Sequence, residues 1–239
     1  MYCPQCGKSN EQEARFCTSC GNSLNQNRLP LQQRIPRSAG KKANFMLLLI
    51  FFVLGIAGVL AGAYILVEHL VYSNFLLSPE NLNPTTLVSA LLFYLLGFGF
   101  LITFFVFFMI YIYRSWDLIQ DEHSRVTPGI AVGFLFIPFY NFYWVFKAYY
   151  GWALDYNYFI ERNKIEAAPV SEKLFLLNCL LPIFIFILNL YFLSHLTENQ
   201  LFILSFVSLF SLTIHLMMIA QITKAINILS AWHLAKKNK

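Results

Sequence analysis

The stretch "IPFYNFYWVFKAYYGW", residues Ile137–Trp152, decides the fold of this chain. It is mostly apolar, yet it contains Pro138, Asn141 and Lys147. It also holds six of the seventeen Tyr and Trp residues, a class that concentrates at the headgroup level of membranes. Whether this stretch crosses a bilayer or turns back sets the side on which the chain ends.

The composition is that of a multi-pass membrane protein. Of 239 residues, 58% are hydrophobic and 12% are charged, whereas a soluble domain has about 25% charged residues. No Lys or Arg occurs from Ala43 to Tyr113 or from Leu174 to Thr223. The net charge of +5 therefore lies in connections and tails, which indicates membrane orientation rather than nucleic-acid binding.

Four apolar runs are long enough to span a bilayer, because about twenty helical residues cross a hydrocarbon core of about 30 Å. The sequence thus predicts an all-α transmembrane domain over residues 43–223. We expect the first run to be an uncleaved anchor rather than a signal peptide, since a cysteine-rich segment precedes it. The predicted spans are about 45–67, 87–113, 174–193 and 201–220.

The positive-inside rule orients these spans. Basic residues cluster before the first span, after the second, before the third and in the tail 224–239, while the other two connections have none. Both termini are then expected to be cytoplasmic, with the protein in the cell (inner) membrane. This orientation requires the region 127–160 to begin and end on the same side of the membrane.

Two paths remain open for that region. Gly129–Ile137 is apolar but only about 14 Å long if helical, and Pro138 removes a helical hydrogen bond. Asn141 is expected to cap a following helix. A re-entrant or interfacial helical hairpin over about 128–160 is favoured, and a single kinked span over Ile130–Tyr150 is the alternative.

The N-terminal segment, residues 1–24, contains two CxxC pairs, Cys3/Cys6 and Cys17/Cys20. Two thiolates on each tight turn can face one ion, and two such turns complete a tetrahedron. All four ligands come from the protein, so the predicted Zn²⁺ site is closed and structural. Two disulfides, a redox-active CxxC and a rubredoxin-like iron site are the alternatives.

This segment resembles a short zinc-ribbon family found at the N-termini of many bacterial membrane proteins. The matching residues are Tyr2–Gly7, Ala14–Cys17 and Cys20–Gly21. Lys8 and Arg15 are balanced by nearby acids, so the ribbon lacks the basic face that nucleic-acid binding requires. A protein partner is expected instead, in an interaction or regulatory role, and a purely structural cap is the alternative.

Residues 25–42 carry five basic residues, two prolines and no acid. They predict a flexible, disordered linker that tethers the ribbon. Its basic residues either follow the anionic leaflet or act only as a topology signal.

A second resemblance covers the chain from about Leu87 onward. The pattern "SWDLIQ…VTPGIAVGFLFIPFYNFYWVFKAYYGWALDYN" looks like a domain of unknown function in bacterial membrane proteins. That resemblance implies no activity. The matched positions are Trp116, Pro128, Gly129, Ala131, Val132, Pro138, Phe139 and Asn141.

Little else in the sequence carries chemistry. No metalloprotease, P-loop, nucleophile-elbow or dinucleotide motif occurs, so we expect no enzyme. The alternative function is a transporter or lipid-handling protein that uses the broken helix around Pro138 and Asn141. Asn178 and Asn189 are expected to bond between helices. A solvated face is expected to be formed by Asp117, Asp121, Glu122 and His123, with a second metal site as the alternative.

Overall fold

The computed structural model describes residues 8–11, 18–19, 36–72, 84–121, 123–192 and 198–238. This part of the chain is helical and contains no β-strand, which confirms the all-α fold class. Two short irregular helices interrupt the series, a 3₁₀ turn at Phe134–Phe136 and a π-helix at Phe146–Tyr150. The α-helices are α1 (Phe45–Tyr72), α2 (Pro84–Leu118), α3 (Pro128–Gly133), α4 (Tyr140–Val145), α5 (Gly151–Arg162), α6 (Glu172–Phe192) and α7 (Glu198–Lys237).

Four of these helices, α1, α2, α6 and α7, are long and apolar enough to cross a membrane. The prediction of four helices able to span a membrane is thereby confirmed. However, α2 has 35 residues and α7 has 40, which correspond to about 52 and 60 Å. Both exceed a hydrocarbon core of about 30 Å. The predicted tail 224–239 therefore begins as a continuation of α7, which stays helical to Lys237.

Glycines bring α1 and α2 together. A Cβ built on Gly97 would lie 2.6 Å from the backbone nitrogen of Val59, and one on Gly58 would lie 2.8 Å from the Cα of Gly97. Such distances allow no side chain on either residue. Because lipid is as apolar as a leucine side chain, close backbone contact of this kind holds helices together in membranes.

The buried core lies at one end of the bundle. It is formed by the C-terminal part of α2, by α5, by the start of α6 and by the second half of α7. Within the most apolar part of each span, by contrast, only 17–22% of residues are buried. We call the well-packed region the packed end. Its largest fully buried side chains include Trp116, Trp152, Tyr156 and Phe175.

The region 128–162 turns back on itself. Thr127 accepts a hydrogen bond from the backbone of Ile130 and starts α3, and the chain reverses at 137–139. The indole of Trp144 then donates to the carbonyl of Ala131 over 3.1 Å, and its ring lies 4.8 Å from that of Phe134. The helical hairpin is thereby confirmed, and the single kinked span is excluded.

Two sequence predictions need correction. Residues 36–42 of the predicted disordered linker are ordered, because side chains of α2 and α7 bind their backbone groups. Asn141 does not cap a helix: it lies in the first turn of α4, whose N-cap is Phe139 with a positive φ of 63°. The backbone N–H of Asn141 donates to Ile137 instead.

Candidate functional site

The four predicted zinc ligands, Cys3, Cys6, Cys17 and Cys20, lie outside the described residues. Two short described pieces lie next to them. The side-chain oxygen of Asn10 accepts from the backbone N–H of Thr18 at 2.9 Å and from its hydroxyl at 3.2 Å. This contact joins the segment after the first CxxC pair to the turn inside the second.

The Asn10–Thr18 contact fits the predicted metal site. Four thiolates can complete a tetrahedron only if the two CxxC turns come together, and these hydrogen bonds join the segment after the first CxxC pair to the second pair. The donor set of four cysteines suits Zn²⁺ in a closed, structural site. Asn10 was not among the predicted site residues, because it lies in a run of polar residues that offers several candidates for such a bond.

Residues 36–44, which we call the docking segment, are fixed to the packed end by α7. Asn227 binds both backbone groups of Ala43: its carbonyl oxygen accepts at 2.7 Å and its amide donates at 3.0 Å. The hydroxyl of Ser230 lies 3.4 Å from the carbonyl oxygen of Ser38 and 3.3 Å from that of Lys41. These contacts satisfy backbone N–H and C=O groups of a segment that has almost no apolar side chains to bury.

The C-terminal part of α2 binds the other side of the docking segment. Asp117 accepts from the backbone N–H of Ser38 at 2.9 Å, and the hydroxyl of Tyr111 accepts from that of Asn44 at 2.7 Å. Arg114 donates to the carbonyls of Lys41 and Lys42. The chain that leaves the ribbon is therefore held on two helices just before α1 begins.

Gly40 is required inside this segment. Its φ of +78° lies in the left-handed region, and a Cβ there would lie 3.1 Å from the side chain of Leu234. Its N–H donates to the carbonyl of Ser230. The glycine thus allows the chain to bend against α7 at a position where an L side chain would be strained.

The hairpin tip exposes large apolar side chains. Phe139 is 86% exposed, and Phe136, Ile137, Phe142 and Tyr143 are exposed as well. These residues are not part of any of the four long helices. An exposed apolar cluster of this kind indicates contact with lipid or with another protein.

The depth of the tip follows from its neighbours. The ring of Phe136 lies 5.9 Å from that of Phe105 in α2, and the ring of Phe142 lies 6.3 Å from that of Phe186 in α6. Phe105 lies about 14 Å along α2 from Arg114, the nearest basic residue. The tip therefore lies about 14 Å along the bundle from Arg114, a distance equal to about half of a 30 Å hydrocarbon core.

Asn141 is the polar residue at this tip. Its side-chain oxygen is buried and has no hydrogen-bond partner within the described ranges. The nearby Pro138 is exposed and forms the bend of the hairpin. A buried amide oxygen without a partner is energetically costly in an apolar environment, so Asn141 is the polar side chain at the tip whose burial the described contacts do not offset.

The second arm of the hairpin is held by its irregular helix. Residues Phe146–Tyr150 form a π-helix, and the carbonyl of Ala148 accepts from the indole of Trp116 at 3.0 Å. The thiol of Cys179 in α6 lies 3.5 Å from the carbonyl of Val145. These two bonds attach the arm to both neighbouring long helices.

A polar cleft of about 320 Å³ lies where the hairpin begins and ends. Arg162 pairs with Asp121, and Arg125 lies 3.6 Å from Asp155. Burial raises the pKa of Asp155, and Arg125 offsets part of that effect. The two ion pairs hold the start and end of the hairpin on one side of the bundle.

This cleft corrects the predicted solvated face. Asp121 is buried, and its carboxylate already binds Ser124, Arg162 and the backbone of His123. Asp117 binds the docking segment. In the described part of the chain, no three His, Cys, Asp or Glu residues are grouped to hold a metal ion.

One of the two predicted interhelical bonds is present in the spans. The side-chain oxygen of Asn178 lies 3.0 Å from Nδ1 of His215 and joins α6 to α7. Asn189 instead donates to the carbonyl of Ile185 in its own helix, so the prediction for Asn189 is wrong. Of the two predicted interhelical hydrogen bonds, the one at Asn178 therefore joins α6 to α7.

A family model for a zinc-ribbon domain matches residues 2–24. The match covers about a tenth of the chain and confirms the N-terminal zinc ribbon. No curated protein and no solved structure matches the chain. The resemblance of the membrane region to a domain of unknown function stays a prediction.

Proposed function

We propose that this protein is a non-enzymatic membrane protein that presents its zinc ribbon to a protein partner close to the membrane surface. The observation that carries the proposal is the docking segment. Because residues 36–44 are bound to α2 and α7, only residues 25–35 separate the ribbon from the packed end.

The length of that separation limits where a partner can be. A flexible chain as long as residues 25–35 has a root-mean-square end-to-end distance of about 18 Å. If residues 36–44 were not bound to α2 and α7, the linker would extend to the start of α1 and its end-to-end distance would be larger. The ribbon is therefore confined to the neighbourhood of the packed end and meets partners that are themselves at the membrane.

The charge distribution supports a cytoplasmic location for this end. The basic residues Lys41, Lys42 and Arg114 lie at the start of α1 and near the end of α2, where the positive-inside rule expects them. A reducing compartment keeps cysteines as thiols, so the four ribbon cysteines would hold Zn²⁺ there rather than form disulfides.

The test compares protein partners after crosslinking in membranes and identification by mass spectrometry. The variants are a deletion of residues 1–24 and the double substitution Cys3→Ser, Cys20→Ser, with zinc content measured in parallel. We expect both variants to lose the same partners, and the double variant to lose the bound zinc. An unchanged partner set in the deletion would refute the interaction role.

A second candidate function is lipid or solute handling at the hairpin tip. It is favoured by the buried, unpartnered oxygen of Asn141 at half-bilayer depth. The test measures lipid transfer in proteoliposomes for Asn141→Ala and for the control Asn189→Ala, which removes an exposed amide from α6. Loss of transfer in the first variant alone supports this function, and no transfer by the parent protein rejects it.

A further inference from the structure

An open groove lies between the first turn of α1 and α7. One wall is formed by residues 43–46, and the other by one face of α7 that includes Ala220, Lys224, Asn227 and Ala231. The groove has a volume of about 690 Å³. The small side chains of the two alanines leave space in the groove. At one end of it, Asn227 accepts a hydrogen bond from Ala43 of the docking segment.

The groove lies at the boundary between the apolar and the polar part of the bundle. On one side, Lys41 and Lys42 lie within four residues of the start of α1. On the other, Lys224 ends a stretch without basic residues that began at Leu174. Both walls thus change from apolar to basic at the same level. This is the level at which lipid headgroups meet a membrane protein.

An apolar stripe leads from the groove into the spans. Met46, which lines the groove, is 64% exposed, and Ile50 and Val53 follow it on the same face of α1 with 53% and 54% exposed. Positions i, i+4 and i+7 of a helix share one face. A molecule in the groove therefore finds a continuous apolar surface beneath it.

The charge of the groove is positive. Lys224 is exposed and lines it, and no acidic side chain is among its lining residues. The N-terminus of α1 adds a partial positive charge at the same place. An apolar surface below a basic mouth complements an amphiphile with a negative headgroup, whereas a soluble anion would gain nothing from the apolar part.

We propose that this groove binds one anionic phospholipid of the surrounding leaflet. Lys224 faces the phosphate-bearing headgroup, and an acyl chain lies along Met46, Ile50 and Val53. The site is separate from the zinc ribbon and from the hairpin tip. It would make the attachment of the docking segment to α7 sensitive to the lipid composition of the membrane.

The test is native mass spectrometry of the full chain with added phosphatidylglycerol or phosphatidylcholine. We expect the parent protein to prefer phosphatidylglycerol about fivefold, the effect of one basic residue near an anionic headgroup. Lys224→Gln should abolish this preference. Lys237→Gln makes the same charge change at the end of α7, away from the groove, and should retain it.

A second variant tests the groove independently of charge. Ala231→Trp fills the groove from its polar end and should reduce binding of both lipids, while the exposed position leaves the core unchanged. A preference that persists in Lys224→Gln, or that disappears equally in Lys237→Gln, would overturn the proposal. So would displacement of phosphatidylglycerol by glycerol 3-phosphate at equal concentration, which would identify a site for soluble anions.

Discussion

The substitution Asn227→Ala should release the docking segment from α7. Asn227 makes two hydrogen bonds to the backbone of Ala43, which is only 7% exposed. With about 1 kcal/mol for each bond, the free energy of opening the segment should fall by about 2 kcal/mol. Since about 1.4 kcal/mol corresponds to a factor of ten, the opened state becomes about 30-fold more populated.

Amide hydrogen exchange measures this opening. The N–H groups of Gly40 and Asn44 donate to Ser230 and Tyr111, so Asn227→Ala leaves their partners in place. Both amides should nevertheless exchange about 30-fold faster, because the segment opens as a unit. Asn163→Ala, which removes a side chain bonded only within the end of α5, is the matched control. Unchanged exchange at Gly40 and Asn44, or equal acceleration in the control, would refute the docking argument.

Two further predictions concern the helix pair and the polar cleft. Gly97→Ala should destabilise the protein by about 1–3 kcal/mol, because the new methyl overlaps the backbone of α1. Gly99 has open space around it, so the control Gly99→Ala should not lower the thermal unfolding midpoint. Equal losses of stability in the two variants would contradict this packing. The raised pKa of Asp155 means that the folded state binds its proton more tightly, so stability should fall as the pH rises from about 4 through the folded pKa. Asp155→Asn should weaken this dependence of stability on pH in thermal unfolding scans, whereas the control Glu161→Gln should leave it unchanged. A parent protein whose stability rises with pH over that window would disprove the raised pKa of Asp155.

Much of the fold follows from the sequence because the responsible patterns are local. Long apolar runs without basic residues identified the four spans, and the spacing of Cys3, Cys6, Cys17 and Cys20 identified the ribbon family. Charge placement required the region around Pro138 to return to the side from which it started. The zinc ligands themselves and the orientation in the membrane stay predictions.

The docking segment could not be predicted in the same way. Its stability depends on hydrogen bonds between its backbone and side chains that lie 67–192 positions away in sequence. A segment rich in polar and basic residues looks disordered when only its own composition is considered. The polar positions Asn227 and Ser230 on one face of α7 were a usable signal, because an otherwise apolar helix rarely carries them without a partner.

The tip of the hairpin shows a similar limit. An Asn two residues after a turn is a common helix cap, so the cap was the natural expectation for Asn141. The backbone instead starts α4 two residues earlier, after the strained Phe139. Which residue begins a helix is decided by the geometry of the turn, and that geometry depends on the packing of Trp144 against Phe134.

The docking segment also fixes an order of assembly. It lies before the first span, yet Asn227 and Ser230, which hold it, follow the apolar part of the last one. Since synthesis proceeds from the N-terminus, the segment has no partner on α7 until nearly the whole chain has been made. The docking segment can therefore bind α7 only after all four long helices have been synthesised, so its attachment is one of the last steps of assembly.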